Sequence, residues 1–399
     1  MSGFDDELRR ELEAIRKDGL YRELRRVNSP QSSRIEIAGR SLLNFSSNDY
    51  LGLACHPALK EAAIKATEKF GIGSGASRLI CGSLAPHHEL EEALAAFKGT
   101  EAAISFSSGY AAALGAITAI AGKSDIIILD KLIHASIVDA ARLSGSTLRV
   151  FAHNDLVDLE KKLRWARSLT TVSSKAPRRI LIVTESVFSM DGDLAPLRNI
   201  ADLKDQYGAW LMVDEAHATG LFGENRRGLT EEFAVGDRIE IQMGTLGKAC
   251  GAAGGYICGS RLLIDFLVNR ARSFIFSTAP IPAVAAAARA GIEVIQSDEG
   301  EALRQRLWAM VDRLKHVLIE TGWALPPVRS AIVPLLIGQE EKATAIAASL
   351  RARGVFVPAI RYPTVARGKA RLRLTATSAH TAADVGELAD ALTAAQIAN

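Results

Sequence analysis

The sequence predicts an α/β protein with a large, mostly parallel sheet domain, helices on both faces of that sheet, and a small α+β domain. Seven short apolar runs alternate with helical segments between residues 102 and 259. Several runs are continuous stretches of Val, Ile and Leu, as in strands that are buried on both faces. The 399 residues, of which 48% are hydrophobic and 23% charged, suffice for two or three globular domains.

Three helices are predicted in the first hundred residues. Apolar residues recur at near-helical spacing among charged ones over residues 5–26, and the Asn-Ser-Pro sequence at 28–30 is expected to end this helix. Further helical patterns span residues 57–70 and 87–98. The glycine-rich stretch GIGSGAS (71–77) follows the first of these two patterns.

The central part of the chain predicts the doubly wound sheet. Helices such as residues 155–167 and 196–207 fill the gaps between the apolar runs. This alternation of strand and helix is typical of parallel sheets that are covered on both faces. The predicted strands are residues 102–108, 125–130, 147–153, 179–186, 209–216, 239–245 and 254–259.

The C-terminal part predicts the small α+β domain. A long alanine-rich helix is expected over residues 279–296, and the chain then alternates helices with strand-like runs. Helices are predicted over 300–321, 341–353 and 381–396, and strands over 331–338, 354–360 and 370–376. We therefore expect an N-terminal helical segment that packs with the small domain, a large domain and a C-terminal small domain, at residues 1–45, 46–290 and 291–399.

The charge and cysteine content argue against several classes of protein. Lys and Arg total 48 against 45 for Asp and Glu, a net charge of +3, whereas nucleic-acid-binding proteins usually carry a concentrated basic excess. The 4 cysteines form no CxxC pair, so neither a disulfide framework nor a zinc site is expected. The N-terminus is too charged for a signal peptide, and no apolar run reaches the roughly 18 residues of a membrane span. A cytoplasmic protein without metal, nucleic-acid or membrane partners is predicted.

The carboxyl ends of the predicted strands are rich in polar residues, and ligands bind at these ends in open parallel sheets. Asp214 ends the buried strand WLMVD, where an unpaired carboxylate would be costly. It is a structural aspartate, a magnesium ligand or the partner of a cationic ring. VDEAH (213–217) also has the letters of a DEAH-type NTPase, but that alternative requires an upstream GxxxxGK[ST] motif, which the sequence lacks.

Lys248 lies in the glycine-rich sequence GTLGKACG (244–251), after a predicted buried strand. It is either an ordinary loop lysine or a desolvated, nucleophilic amine that forms a Schiff base. Asp214 and Lys248 together suggest pyridoxal phosphate. This cofactor needs a lysine for its aldehyde and a carboxylate that keeps its ring nitrogen protonated.

Two further features are suited to hold the phosphate of such a cofactor. The sequence Ser-Ser-Gly-Tyr at 107–110 lies at a predicted strand-to-helix turn, where backbone amides of a helix N-terminus bind anions. The hydroxyl of Thr245 is a possible additional donor. A Ser-Gly turn alone is a weak indication, and it becomes specific only together with Asp214 and Lys248 in this order.

Three more polar residues fit the same pocket. His134 is either a structural loop histidine or a ring that lies flat against the cofactor. His217 and Ser189 are suited to hydrogen-bond the phenolic oxygen of the cofactor. A turn histidine and a capping serine are the ordinary alternatives for these two residues.

These residues lie in motifs that resemble those of the α-oxoamine synthases, which are pyridoxal-phosphate enzymes of the aspartate-aminotransferase-like fold type I. The resemblance runs from about residue 20 to the C-terminus, with the motifs in the family's order. The motifs are NFSSNDYLGL (44–53), GIGSGASR (71–78), DKLIHAS (130–136), ESVFSMDGD (185–193), VDEAHATG (213–220), GTLGKACG (244–251) and FSTAPIP (276–282).

Within the family, the chain is most similar to the branch that condenses L-alanine with a pimeloyl thioester in biotin biosynthesis. The stretches that indicate this branch are NFSSNDYLGL (44–53), FAHNDL (151–156) and AIRYPTVARGKARLRLT (359–375). The resemblance thus implies a decarboxylating acyltransferase that uses pimeloyl-CoA or a pimeloyl carrier protein. A sister enzyme that joins glycine to acetyl-CoA or succinyl-CoA is the alternative, because the family shares the lysine motif.

The resemblance also assigns roles at the cofactor. It implies that Lys248 forms the Schiff base, that Asp214 pairs with the ring nitrogen, and that His134 stacks on the ring and takes part in catalysis. Ser189 and His217 would lie near the phenolic oxygen. The implied phosphate contacts are Gly109, Tyr110 and Thr245.

Further implied contacts concern the partner subunit and the substrates. Ser277 and Thr278 would reach the phosphate that is bound by the neighbouring subunit, so that activity requires a homodimer. Arg361 and Asn48 would receive the carboxylate of the amino acid. Arg22 and Thr364, as well as His134, match positions that contact substrate.

Overall fold

The computed structural model describes residues 3–170 and 178–397 of the chain. These residues divide into two compact units. The larger unit comprises residues 48–308, and the smaller comprises the residues up to 47 together with those from 309 onward. The three domains expected at residues 1–45, 46–290 and 291–399 stay a prediction.

In chain order, the helices are α1 (Gly3–Lys17), α2 (Pro57–Phe70), α3 (Ala85–Lys98), α4 (Gly109–Ile120), α5 (Ala135–Ser144), α6 (Leu156–Thr170), α7 (Leu197–Tyr207), α8 (Leu229–Glu232), α9 (Arg261–Arg270), α10 (Arg272–Ile275), α11 (Pro282–Gln296), α12 (Asp298–Glu320), α13 (Glu340–Ala352) and α14 (Ala382–Ile397). Short 3-10 turns occupy Leu53–Cys55 and Gly236–Arg238. Among the described helices, none combines the length and apolar character needed to cross a bilayer.

The strands are β1 (Arg34–Ile37), β2 (Arg40–Asn44), β3 (Ala102–Phe106), β4 (Ile126–Asp130), β5 (Thr147–Phe151), β6 (Ile180–Glu185), β7 (Trp210–Asp214), β8 (Ile241–Thr245), β9 (Gly255–Gly259), β10 (Ile332–Gly338), β11 (Val355–Phe356), β12 (Ala359–Ile360) and β13 (Ala370–Thr375). Each of the seven apolar runs in the central part of the sequence contains a strand.

The larger unit is built around a seven-stranded sheet with the order β3-β9-β8-β7-β6-β4-β5. Neighbouring strands are parallel except for β9, which is antiparallel to both β3 and β8. Strands β4 and β6 are buried along their whole length, as continuous apolar runs predict for a sheet that is covered on both faces. The predicted α/β fold with a mostly parallel sheet is therefore confirmed.

The smaller unit contains two three-stranded sheets. One has the order β1-β2-β11, and its hairpin β1-β2 turns at Ala38 and Gly39, both of which have positive φ. The other has the order β10-β13-β12 and is antiparallel. The sequence patterns do not predict the hairpin, because RIEI and RSLLN are too short to show a clear alternation.

Two predicted elements differ from the structure. Helix α1 ends at Lys17 and not near residue 26, because Gly19 adopts a left-handed conformation with φ 66°. The N–H of Gly19 donates to the last turn of the helix at 3.0 Å and caps it. The strand expected over residues 354–360 is two short strands, β11 and β12, with Pro358 between them. Proline has no N–H to donate to a strand ladder.

The carboxyl edge of the large sheet gathers the polar residues on which the sequence analysis depends. Strands β6, β7 and β8 end there at Glu185, Asp214 and Thr245. Glu185 and Asp214 are register partners on β6 and β7. Since parallel strands all present their following loops at this edge, the fold brings the loops of several motifs together.

Candidate active site

A cavity of about 160 Å³ lies at the carboxyl edge of the sheet, within the larger unit. Several of the residues predicted to bind a cofactor converge there. Its walls are formed by Gly109, Tyr110, His134, Ser136, Glu185, Asp214, Ala216, His217, Met243, Thr245 and Lys248. An amine, two carboxyl groups and two imidazoles therefore face one small space.

A larger cavity of about 720 Å³ lies at the opposite, amino edge of the same sheet. Its walls are mainly apolar, and two of its charged groups have partners of their own. Arg179 donates to the carbonyl oxygen of Ile120 at 2.8 Å, and Glu240 accepts from Lys204 at 2.6 Å. We place the candidate active site in the smaller cavity, because its groups can do acid–base and nucleophilic chemistry.

The amine of Lys248 is part of a hydrogen-bonded series. Its Nζ lies 2.7 Å from Nε2 of His217, and Nδ1 of that ring lies 2.5 Å from the hydroxyl of the buried Tyr50. The hydroxyl donates to Oδ1 of Asn48 at 3.4 Å. With Tyr50 donating to Asn48, the His217 ring carries its proton on Nδ1 and accepts from Lys248 at Nε2.

Asp214 is a buried carboxylate at the end of β7. Its Oδ1 accepts the backbone N–H of Ala216 at 2.9 Å. Burial raises the pKa of Asp214, and the positive charge of Lys248 opposes that rise. A cationic group inside the cavity would keep Asp214 ionised, since an opposite charge nearby favours the charged form.

Glu185 stands beside Asp214 on the neighbouring strand. It is 2% exposed, and its Oε1 has no hydrogen-bond partner. Burial, followed by the negative charge of Asp214, raises the pKa of Glu185 well above its ordinary value, although the backbone amides of His134 and Ser189 hydrogen-bond the carboxylate. Since two adjacent buried carboxylates repel one another, this environment favours Glu185 as the protonated member of the pair and Asp214 as the ionised one.

His134 caps the N-terminus of α5. Its Nδ1 accepts the backbone N–H of Ser136 at 3.2 Å and lies 2.7 Å from the Ser136 hydroxyl. Burial lowers the pKa of His134, and the charge of Lys248 lowers it further against the opposing effect of Asp214. The ring is therefore neutral, and its single proton is on Nε2.

The predicted phosphate-binding turn leads into α4. Ser108 caps this helix, because its Oγ accepts the N–H of Ala111 at 3.1 Å. Gly109 and Tyr110, the first two helical residues, have backbone amides without an intrahelical acceptor. Both residues line the cavity. At Gly255 a Cβ atom would lie 2.5 Å from the carbonyl oxygen of Ser108, so this glycine allows β9 to approach the turn.

Two side chains near the turn have partners that the sequence does not predict. The hydroxyl of Tyr110 donates to Oδ2 of Asp139 at 2.8 Å, so only the backbone of Tyr110 is available for a phosphate. The hydroxyl of Thr245 donates to the carbonyl oxygen of Gly254 at 2.9 Å. To donate to a phosphate, the Thr245 hydroxyl would have to rotate its proton away from the carbonyl oxygen of Gly254.

Several predicted cofactor contacts do not line the cavity. Ser189 approaches it through its backbone amide, which bonds Glu185. Ser277 and Thr278 line a separate narrow cleft with Arg78. The structure thus brings the predicted lysine, aspartate, histidine and glycine residues together in one chain, but not this Ser-Thr pair.

In the smaller unit, three predicted substrate contacts lie close together. Arg22 donates to the hydroxyl of Thr364 at 3.4 Å, and Arg361 donates to the carbonyl oxygen of Tyr21 at 2.8 Å. All four residues line a cavity of about 360 Å³ in that unit, together with two further arginines, Arg25 and Arg351. A cluster of guanidinium groups is suited to carboxylates or phosphates.

Comparison with known proteins identifies the family. The sequence model described as aminotransferase class I and II matches residues 40–392. The chain belongs to this family. An 8-amino-7-oxononanoate synthase from Geotalea daltonii is 50% identical to this aminotransferase-family chain over 382 residues, which are 96% of this chain and 95% of that protein.

Solved structures of the family agree with this assignment. A serine palmitoyltransferase from S. paucimobilis with a bound PLP-myriocin aldimine has a TM-score of 0.90 and 31% identity, and the match covers 98% of this chain and 97% of that one. An 8-amino-7-oxononanoate synthase from Francisella tularensis has a TM-score of 0.73 and 28% identity, with 88% and 97% covered. The predicted resemblance to α-oxoamine synthases and the predicted fold type I are confirmed.

The cavity fits the cofactor of this aminotransferase family, pyridoxal phosphate. It offers the amine of Lys248, the buried carboxylate of Asp214, whose raised pKa calls for a cationic partner, and the helix N-terminus at Gly109. These are the three groups that an aldehyde, a protonated ring nitrogen and a phosphate require. The predicted dependence on pyridoxal phosphate is confirmed for the family to which the chain belongs.

Sequence reasoning assigned no role to several residues of the site. Tyr50 and Glu185 lie inside the motifs NFSSNDYLGL (44–53) and ESVFSMDGD (185–193), and these motifs are the only feature of the sequence that points to the two residues.

Glu215, the glutamate of the DEAH letters, forms an ion pair with Lys98 in which both side chains are fully buried. Glu215 also accepts the N–H and the hydroxyl of Thr230, each at 2.9 Å. It is a structural residue, and membership in the aminotransferase family excludes the NTPase alternative.

Proposed function

We propose that this chain is an acyltransferase of biotin biosynthesis that condenses L-alanine with a pimeloyl thioester. The products are 8-amino-7-oxononanoate, the free thiol and carbon dioxide. The observation that carries the proposal is the 50% identity over 96% of the chain with the Geotalea daltonii 8-amino-7-oxononanoate synthase. The acyl carrier is CoA or a carrier protein.

The proposed centre of the reaction is Lys248. When bound, pyridoxal phosphate supplies an electron sink that makes loss of the Cα proton and of carbon dioxide from the amino acid feasible. Lys248 holds the cofactor and then removes the Cα proton of alanine with its amine. His217 orients this amine, since its Nε2 lies 2.7 Å from Nζ. Tyr50 in turn fixes the His217 ring through Nδ1.

Asp214 and Glu185, the two buried carboxyl groups, have different proposed roles. Asp214 keeps the ring nitrogen of the cofactor protonated by pairing with it. Glu185 is neutral because burial and the charge of Asp214 raise its pKa. If Glu185 were ionised, its negative charge would compete with Asp214 for the protonated ring nitrogen of the cofactor.

His134 has the proton that the acylation step requires. Its neutral ring has an N–H at Nε2, because Nδ1 accepts from Ser136. We propose that this N–H donates to the carbonyl oxygen of the thioester and stabilises the negative charge that develops there. The flat neutral ring also suits the proposed stacking against the cofactor.

The remaining contacts rest on the resemblance to the family. We propose Gly109, Tyr110 and Thr245 for the phosphate, Ser189 and His217 for the phenolic oxygen, and Arg22, Asn48, Arg361 and Thr364 for the substrates. A homodimer is proposed, in which Ser277 and Thr278 serve the partner's cofactor. A cytoplasmic location is proposed as well, because the 4 cysteines of the sequence do not form the pattern of a disulfide framework.

A substrate panel tests the proposed reaction. Thiol release is measured with L-alanine plus pimeloyl-CoA, glycine plus acetyl-CoA or succinyl-CoA, and L-serine plus palmitoyl-CoA. The serine pair is included because of the TM-score of 0.90 with a serine palmitoyltransferase. We expect turnover with alanine and pimeloyl-CoA and a product with the mass of 8-amino-7-oxononanoate. Turnover with a glycine or serine pair in its place would assign the chain to a sister activity.

A further inference from the structure

The sequence FAHNDL (151–156) indicates the branch of the family, yet the proposed reaction uses none of its residues. In the structure this segment begins at Phe151, the last residue of β5, and His153 lies between two aspartates. Its Nδ1 is 2.9 Å from Oδ1 of Asp130, and its Nε2 is 2.7 Å from Oδ2 of Asp193. Both ring nitrogens thus contact carboxylates.

This geometry requires a charged ring. A carboxylate only accepts hydrogen bonds, so each ring nitrogen of His153 must carry a proton, which only the imidazolium form provides. Burial lowers the pKa of His153, but the hydrogen bonds to Asp130 and Asp193 more than offset this effect and raise it to about 10. Phe188 packs edge-on against the ring, with centroids 4.4 Å apart.

The next residue joins the same two aspartates. Asn154 has φ 55°, and in this conformation its backbone N–H donates to Oδ2 of Asp130 at 3.0 Å. Its side-chain amide donates to Oδ2 of Asp193 at 2.9 Å and to the carbonyl oxygen of Leu194 at 3.2 Å. We call His153, Asn154, Asp130 and Asp193 the His153 clasp.

The clasp connects the two loops that carry His134 and Ser189. Asp130 ends β4, and the loop that follows leads to His134 at the N-terminus of α5. Asp193 belongs to the same short loop as Ser189, in which the N–H of Phe188 donates to the carbonyl oxygen of Asp193 at 3.0 Å. The loop after β5 is thereby fixed to both neighbours by two ion pairs.

We propose that His153 is a positioning residue, which acts through the clasp to hold the loops of His134 and Ser189 in the orientation that the bound cofactor needs. His153 itself does not line the cavity. The proposal concerns the cofactor site and does not depend on which amino acid or thioester is the substrate.

A double-mutant cycle on the holoenzyme tests the proposal. The variants are His153→Gln, Asp193→Asn and the double variant, and His316→Gln is the matched control because His316 pairs with Glu320 on an exposed helix face. The readouts are the visible circular dichroism of the bound cofactor and its apparent dissociation constant, measured without substrates. Each single variant should weaken cofactor binding about tenfold, and the double variant no more than either one, since residues of one network are not additive.

The control variant should bind the cofactor as the unsubstituted protein does. Additive effects of the two single variants, or an unchanged cofactor signal in folded His153→Gln protein, would overturn the proposal. A lower melting temperature with an unchanged cofactor signal would overturn it too, because the clasp would then be merely structural.

If the His153→Gln variant does not fold, the Asn154→Gly variant takes its place. This variant keeps the backbone conformation and removes the side-chain amide that donates to Asp193 and to Leu194, and it should weaken cofactor binding in the same direction.

Discussion

The Nζ atom of Lys248 lies 2.7 Å from Nε2 of His217, and the opposite nitrogen of that ring is held by the hydroxyl of Tyr50 at 2.5 Å. The proposed catalytic amine is therefore oriented by a residue from a distant part of the sequence. Because the Tyr50 hydroxyl donates to Oδ1 of Asn48, Nδ1 of His217 is the protonated nitrogen and Nε2 is the acceptor. A buried tyrosine thus takes part in the site without touching the amine.

Replacing Tyr50 with Phe tests this arrangement. The change removes the hydroxyl and leaves the ring, so Nδ1 of His217 loses its partner. We expect kcat/KM to fall about tenfold, the usual cost of one buried hydrogen bond to a polar group. Tyr207→Phe is the control, because the Tyr207 hydroxyl bonds Glu160 on the surface of the unit. Equal activity of both variants would show that Tyr50 does not orient the site.

The buried ion pair between Lys98 and Glu215 should contribute strongly to the stability of the folded protein. Replacing Lys98 with Met leaves the fully buried Glu215 without its cation. We expect the free energy of unfolding to fall by about 3–5 kcal/mol, as for other broken buried pairs. Lys65→Met, which breaks the exposed pair with Glu61, should change it by less than about 1 kcal/mol. Denaturant unfolding of both variants measures the difference, and similar losses would contradict the structural role of the buried pair.

The pH dependence of stability should reveal the charge on His153. Its pKa is about 10 in the folded chain, whereas an unfolded histidine titrates near 6.5. Because the folded pKa is raised, the contribution of His153 to stability is complete below about pH 6.5 and is lost as the pH rises through about 10. The gap in melting temperature between the unsubstituted protein and His153→Gln should therefore shrink between about pH 7 and about pH 10.5. A gap that stays constant would mean that the ring is not an imidazolium.

Mixing inactive variants tests the proposed homodimer. Lys248→Ala and Thr278→Ala should each be inactive if Thr278 serves the partner's cofactor. After subunit exchange, half of the dimers are hybrids with one intact site, and roughly a quarter of full activity should return. A mixture of Lys248→Ala with Asp214→Ala should stay inactive, because both residues line the cavity of one chain. No recovery in the first mixture would contradict a shared site.

Much of the fold could be predicted because continuous apolar runs leave few alternatives to a buried parallel sheet. The site could be predicted in part, since Asp214 ends such a strand and Lys248 follows another within glycine-rich sequence. Tyr50 and Glu185 could not be assigned, because their roles depend on contacts between strands and loops that sequence spacing does not fix. The end of α1 at Lys17 was missed because one left-handed glycine stops a helix whose apolar pattern continues beyond it.

The central claim is that Lys248 holds pyridoxal phosphate in the cavity beside Asp214. Borohydride reduction of the holoenzyme, followed by peptide mapping, tests it most directly. We predict that the cofactor is attached to the peptide that contains Lys248, and that Lys248→Ala abolishes the attachment while replacement of the exposed Lys131 by Ala does not. Attachment to another lysine, or a purified protein that takes up no cofactor, would contradict the account.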